Sequence, residues 1–252
     1  MGIHKFGKWI GQYRPRTTRS NITIPTNGNW SNAFSANPPL NVSTFSVDMN
    51  DYIYQASAKI PENATAKETL SANATFDLID NMCRRIKPSG HILIAADGVV
   101  PVAKQRQQRM RRYLSTEKRP HEITPGTPFY QGFHTTFKER LTRVERQVSN
   151  YFPENIWYSS YLTEGEGEHK IFAKLKDIRN GVHVISGRDW DIVIIALMSG
   201  IKNIHIHHFP QMDPITKTVD VHRGQHEFID IGELANSIAL RLLKGPGTED
   251  QK

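Results

Sequence analysis

Ile92-Leu93-Ile94-Ala95-Ala96-Asp97-Gly98 decides the fold: five apolar residues in a row read as a strand buried on both faces, halted by an acid and a turn glycine. The pattern recurs. Thr44 to Val47 predicts a short buried strand ending at Asp48, Ile156 to Ser159 another, and Val182 to Ile185 a further one followed by Asp189 and Asp191. Between them run helical periodicities. Thr65 with Glu68 reads as a capping box for a helix through about Ile86, with Leu70, Ile79, Met82 and Ile86 on its buried face. Thr127 and Pro128 read as N-cap and first helical residue, and Phe129, Phe133, Phe137 and Leu141 follow at helical spacing as a core stripe. Glu166 and Glu168 open a helix whose Ile171, Leu175 and Ile178 face inward.

Strands alternating with helices predict an α/β fold with a mainly parallel central sheet flanked by helices. Sites in such sheets form at the carboxyl ends of the strands. Asp48, Asp97, Glu166, Glu168, Asp189 and Asp191 all fall on strand ends or helix starts at that edge. Any one of them is explained as a helix cap or dipole partner. Six together repel one another unless cations compensate, and hard oxygen ligands suit Mg²⁺ or Mn²⁺. The economical expectation is a two-metal site, with ions roughly 3.5–4 Å apart, of the kind used in nuclease and phosphatase chemistry.

A second constellation follows Asp97 directly. Between Gly98 and Thr116 there is no acid, and Lys104, Gln108, Arg111 and Arg112 share one helical face. A charge run is ordinarily a solvated face, but uncompensated cations on one face favour an anion nearby, and a terminal phosphate is such an anion.

The whole chain agrees with a polyanionic partner: over 252 residues its formal net charge is +7, and its pI is about 9.5. Cys83 is the only cysteine, which excludes an internal disulfide framework and a cysteine-based zinc site. Residues 1 to 9 lack the apolar core of a signal peptide, and no stretch approaches the roughly 18 to 20 apolar residues of a membrane span. An intracellular protein, cytoplasmic or nuclear, with no membrane partner is expected. The Asn-x-Ser/Thr triplets at Asn21, Asn29, Asn41, Asn63 and Asn73 then carry no glycan, and Phe6 spoils a myristoylation start at Gly2. His205-Ile206-His207-His208 lacks the matched Cys or acid of a zinc site and reads as a strand end. Residues 15 to 43, rich in Asn, Ser, Thr and Pro, read as a long polar surface loop, and residues 245 to 252 as a polar tail after one domain spanning 1 to 244.

In this order the motifs resemble the amino-terminal nuclease domain of Xrn-type 5′→3′ exoribonucleases. The matching segments are Met1 to Phe6 with Trp9-Ile10, Val47-Asp48-Met49-Asn50, Ile86-Lys87-Pro88 and Ala96 to Pro101 running into Lys104 and Arg112. Ile123 to Phe129, Gly165 to Ile171 and Gly187-Arg188-Asp189-Trp190-Asp191 continue the series. The resemblance implies a PIN-like or flap-nuclease-like sheet and removal of nucleotides from RNA bearing a 5′-monophosphate. It also implies Mg²⁺ held by Asp48, Asp97, Glu166, Glu168, Asp189 and Asp191, and a 5′-phosphate pocket of Lys104, Gln108, Arg111 and Arg112.

Three departures accompany it. Tyr54 stands where the family has a base-stacking histidine, and an aromatic ring still stacks. The 15 to 43 loop is expanded. The family's later Gly-Asn-Asp-Phe segment, with a further metal-binding aspartate, and its second stacking aromatic have no counterpart before Lys252. That shortfall implies a shortened or viral-type relative, a fragment, or a chain whose site a second polypeptide completes; Asp213, Asp220, Glu227 and Asp230 are the candidate substitutes. Two alternative functions stay open: a catalytically impaired module that captures 5′-phosphorylated RNA ends, and a flap-type DNA nuclease.

Overall fold

The computed structural model describes residues 20–22, 41–114, 122–145, 152–178, 180–187, 189–208 and 226–244. The elements in chain order are β1 (Ser20–Ile22), β2 (Val42–Asp48), α1 (Met49–Ser57), α2 (Lys67–Ile86), β3 (His91–Ala95), α3 (Val102–Leu114) and α4 (Pro128–Glu145). There follow β4 (Asn155–Ser159), α5 (Gly167–Ile178), β5 (Val182–Ser186), α6 (Asp191–Met198), β6 (Ile204–His208), β7 (His226–Asp230) and α7 (Ile231–Lys244). They build one seven-stranded sheet in the order β1-β7-β6-β5-β2-β3-β4. The five strands β6, β5, β2, β3 and β4 run parallel, whereas β7 pairs antiparallel with β6 and β1 antiparallel with β7.

The alternation of side chains along buried strands sends them to two cores. Ile92 and Ile94 join Phe45, Val47 and Val184 in a cluster covered by α1, α2 and α4, while Leu93, Ala95, Ile185 and Ile206 pack under α5, α6 and α7. The expected stripe on α4 forms: Phe133, Phe137 and Leu141 are buried, and Phe129 is half-buried against them. Thr127 caps that helix, its Oγ1 accepting from the Tyr130 N–H at 3.3 Å. From β2 the chain moves outward to β3 and β4, then returns to place β5 on the other side of β2. The strand order reverses at β2, so the carboxyl end of β2, which is Asp48, sits at the crevice where an open α/β sheet binds its ligands.

Three local expectations are corrected. The capping box at Thr65 and Glu68 does not form; Ala66, in the left-handed region at φ 53°, occupies the cap position of α2 without a side-chain bond. Leu70 is exposed rather than buried, because the inward stripe of α2 runs through Ala72, Phe76, Ile79 and Cys83. The polar stretch at 15–43 is not loop throughout: Ser20–Ile22 is an edge strand paired with β7, and Val42 already belongs to β2. An edge strand tolerates polar residues on both sides, which hides it from a hydrophobicity reading. The remainder of that stretch and the tail at 245–252 lie outside the described residues. No helix among the described residues is long and apolar enough to cross a membrane.

Phe133 has no exposed surface and stacks on Phe137 at 6.0 Å between ring centroids. Phe133→Ala should cost about 3–5 kcal/mol in urea unfolding, and a cost under about 1 kcal/mol would remove α4 from the core described above.

Candidate active site

The site is built where three strand ends meet the start of α5. Asp48 closes β2 and caps α1, its Oδ1 accepting from the Asn50 N–H at 3.3 Å. The Asn50 side chain then reaches the next strand end: its Oδ1 accepts from the Asp97 N–H at 3.3 Å and from the Tyr130 hydroxyl at 2.8 Å. Asp97, just beyond β3, accepts the Gly167 N–H at 2.8 Å, placing a carboxylate on the positive end of α5.

Gly167 lets these groups converge. A Cβ there would lie 3.0 Å from the Ala95 carbonyl and 3.1 Å from Asp48 Oδ1, so any side chain would push α5 away from the strand ends. Glu166 and Glu168 flank this glycine and are thereby delivered to Asp48 and Asp97. Lys170, one turn further on, is buried and spends its ammonium on backbone carbonyls: Ala96 at 2.9 Å, Ser160 at 3.2 Å and Thr163 at 2.5 Å. It binds α5 to the ends of β3 and β4.

At the end of β5, Ser186 joins Tyr52 and His207 in a buried chain, with Tyr52 Oη to Ser186 Oγ at 2.9 Å and Ser186 Oγ to His207 Nδ1 at 2.7 Å. Gly187 follows, and a Cβ on it would meet Asp48 Cβ at 3.6 Å and Asp51 Oδ2 at 3.7 Å. The exposed Asp189 lies two residues beyond.

Burial and like charge dominate the electrostatics. Asp48, only 9% exposed, is held well above the usual carboxylate range by burial first and then by Asp51, Asp97, Glu168 and Asp189. Glu168 is pushed up to about 8 by burial, with Asp97, Glu166 and Asp189 adding repulsion. Asp97 is raised by burial and by Glu166, against the lowering effects of the Gly167 N–H, Lys104 and Lys170. Five of the six expected acids thus act on one another. Asp191 is half-buried in the first turn of α6 and is not among the groups that act on Asp48, Asp97 or Glu168.

Several contributors escaped the sequence reading. Asp51 sits at the third position of α1, where a first-turn acid is ordinary, and only the approach of Gly187 shows it beside Asp48. His169 places a ring nitrogen within 4.8 Å of carboxylate oxygens from Glu166 and Glu168, a grouping able to hold a metal ion. Asn50 appeared only within the Val47-Asp48-Met49-Asn50 match and Tyr130 not at all, since their role depends on tertiary contact. A surplus of hard carboxylate oxygens, with Lys104 and Lys170 as the neighbouring cations acting on Asp97, fits a divalent cation.

The basic run forms α3 as expected. Lys104 Nζ pairs with Glu166 Oε2 at 2.7 Å, and Gln108 is half-buried one turn along. Arg111 and Arg112 belong to the same helix, but their side chains lie outside the described residues. Tyr54, on α1, is 37% exposed. Of the histidine run, His207 is engaged with Ser186, and His205 lies 3.9 Å from Asp230.

Comparison with known proteins matches residues 1–122 and 115–208 to the family model described as the XRN 5'-3' exonuclease N-terminus. The chain is 27% identical over 241 residues to 5'-3' exoribonuclease 1 of Schizosaccharomyces pombe, covering 79% of this chain and 16% of that protein. It is 27% identical to the human 5'-3' exoribonuclease 1 over 231 residues, covering 79% of this chain and 13% of that protein. Against 5'-3' exoribonuclease 2 of Eremothecium gossypii it is 24% identical over 284 residues, covering 92% of this chain and 29% of that protein. The chain therefore spans less than a third of the length of each of these relatives.

Glu168 gives this electrostatic picture a pH signature. Its folded pKa, about 8, lies above the ordinary 4.5, so folding favours the protonated form. That contribution is complete below about pH 4.5 and is lost as pH rises through about 8. In EDTA the wild-type urea midpoint should fall over this window, and Glu168→Gln, which keeps the size without the charge, should flatten the fall. An unchanged slope in the variant would contradict the crowding.

Proposed function

The chain belongs to the family of XRN 5'-3' exonuclease N-termini, and on that premise we propose that it is a metal-dependent 5′→3′ exoribonuclease acting on RNA with a 5′-monophosphate. The observation that carries this reading is the convergence of Asp48, Asp97, Glu166, Glu168 and Asp189 around the start of α5, with Lys104 of the basic helix reaching into the same cluster.

Asp48, Asp97, Glu166, Glu168, Asp189 and Asp191 would hold two Mg²⁺ or Mn²⁺ ions. Bound there, such ions supply an activated water on one side of a phosphodiester and charge stabilisation of the leaving oxygen on the other. The chain's own groups do the positioning. Asn50 and the Gly167 N–H fix Asp97, and Lys170 keeps α5 against the strand ends so that Glu166 and Glu168 stay aimed at the cleft. Lys104 and Gln108, with Arg111 and Arg112 on the same helix, grip the terminal phosphate, because a row of cations on one face neutralises a dianion that a solitary lysine would not. Tyr54 offers an exposed ring for the first base. Residues 1–244 act as one nuclease domain inside the cell.

The test is degradation of one labelled RNA carrying either a 5′-monophosphate or a 5′-hydroxyl, in Mg²⁺ and in EDTA. Loss of the monophosphate form alone, in Mg²⁺ alone, is the expected result. Asp97→Asn should slow it by more than about 100-fold, beyond the loss from disturbing an outer-shell partner. Equal loss of both forms, or loss in EDTA, would contradict the proposal, and retained binding without degradation would point to a module that captures 5′-phosphorylated ends.

A further inference from the structure

The two halves of the site share an ion pair. Lys104 Nζ lies 2.7 Å from Glu166 Oε2, with side chains 23% and 17% exposed. Lys104 is near the start of α3, and Glu166 immediately precedes α5. The lysine read as a phosphate ligand and the acid read as a cation ligand are thus each other's counter-ions. We propose that Glu166 sets the 5′-end selectivity of the protein, by withholding Lys104 from phosphate until a divalent cation takes up the charge of Glu166. This rests on the functional reading above and adds to it a coupling between its two parts.

The coupling is electrostatic. A lysine ammonium is a compact charge with three donors. With a carboxylate at hydrogen-bond distance that charge is largely cancelled, and an arriving phosphate dianion meets the carboxylate's repulsion along with the ammonium's attraction. Asp97 and Glu168 stand beside Glu166 and add to that repulsion. A divalent cation on Glu166 reverses the balance: its charge satisfies the carboxylate, and Lys104 then presents a full positive charge to the 5′-phosphate. Linkage makes the effect reciprocal, so a 5′-phosphate tightens cation binding by the factor by which the cation tightens 5′-phosphate binding. An ordinary half-exposed salt bridge, worth little to stability, carries no such coupling. Glu166 is therefore a positioning residue for phosphate recognition in addition to being a candidate cation ligand.

The experiment measures binding of a short fluorescent RNA with a 5′-monophosphate or a 5′-hydroxyl to the full chain, in EDTA and in Ca²⁺. The preference of wild type for the monophosphate should rise by about tenfold or more from EDTA to Ca²⁺, the scale of one charge-assisted contact. Glu166→Gln, which leaves Lys104 uncancelled, should show that raised preference already in EDTA. Lys104→Met should keep only the preference that Gln108, Arg111 and Arg112 supply, the same in EDTA and in Ca²⁺. The reciprocal arm needs no variant: Ca²⁺ should bind wild type more tightly in the presence of the monophosphate RNA than of the hydroxyl RNA, by the same factor. Cation-independent selectivity in wild type, or a Glu166→Gln protein as unselective in EDTA as wild type, overturns the coupling while leaving the site itself standing. Failure of wild type to bind Ca²⁺ overturns the cation site and the coupling together.

Discussion

Carboxylates crowded at one sheet edge are the constraint on which the rest of this structure depends. Asp48 lies at the reversal of strand order, buried, with Asp51, Asp97, Glu168 and Asp189 all raising the cost of its charge. Like charges so placed separate unless the surrounding chain prevents it. Here the chain prevents it in three ways. The N-terminal ends of α1 and α5 supply N–H groups to Asp48 and Asp97, Gly167 removes the side chain that would hold α5 off, and Lys170 locks α5 onto three carbonyls.

The same edge explains where polar groups have been buried. Asn50 serves two donors from different elements, the Asp97 N–H and the Tyr130 hydroxyl, so α1, α4 and the end of β3 share one acceptor. The Tyr52, Ser186 and His207 chain performs a similar office for α1, β5 and β6, in a region without exposed surface. Each partner satisfies another, and the acids at the rim gain a rigid base. Repulsion among them, added to burial, raises the pKa of Asp48, Asp97 and Glu168.

Much of this was legible in the residues. The apolar run Ile92 to Ala96 that stops at Asp97, and the shorter stretches Thr44 to Val47 and Val182 to Ile185 that lead to Asp48 and Asp189, identified β3, β2 and β5 and the edge at which the site lies. The Thr127-Pro128 start and the aromatic stripe of α4 were equally plain. What failed to show was whatever tertiary contact decides. The edge strand β1 has no apolar signature, and the start of α2 lacks the capping box its sequence offers. Asp51 looks like an ordinary first-turn acid until the β5–α6 connection passes over it. Lys170 entered only as part of the Gly165 to Ile171 match, and nothing in that segment shows that it is buried among carbonyls. The pairing of Lys104 with Glu166 joins residues far apart in the chain, and neither helical face announces it.

The central claim is that the crowding exists to hold divalent cations. Equilibrium dialysis of the metal-free chain against Mn²⁺, at a pH near 8, tests it most directly. The account predicts about two ions per wild-type chain and loss of at least one in Asp48→Asn, with the variant still folded. No bound Mn²⁺ in wild type, or the same stoichiometry and affinity in the variant, would contradict it.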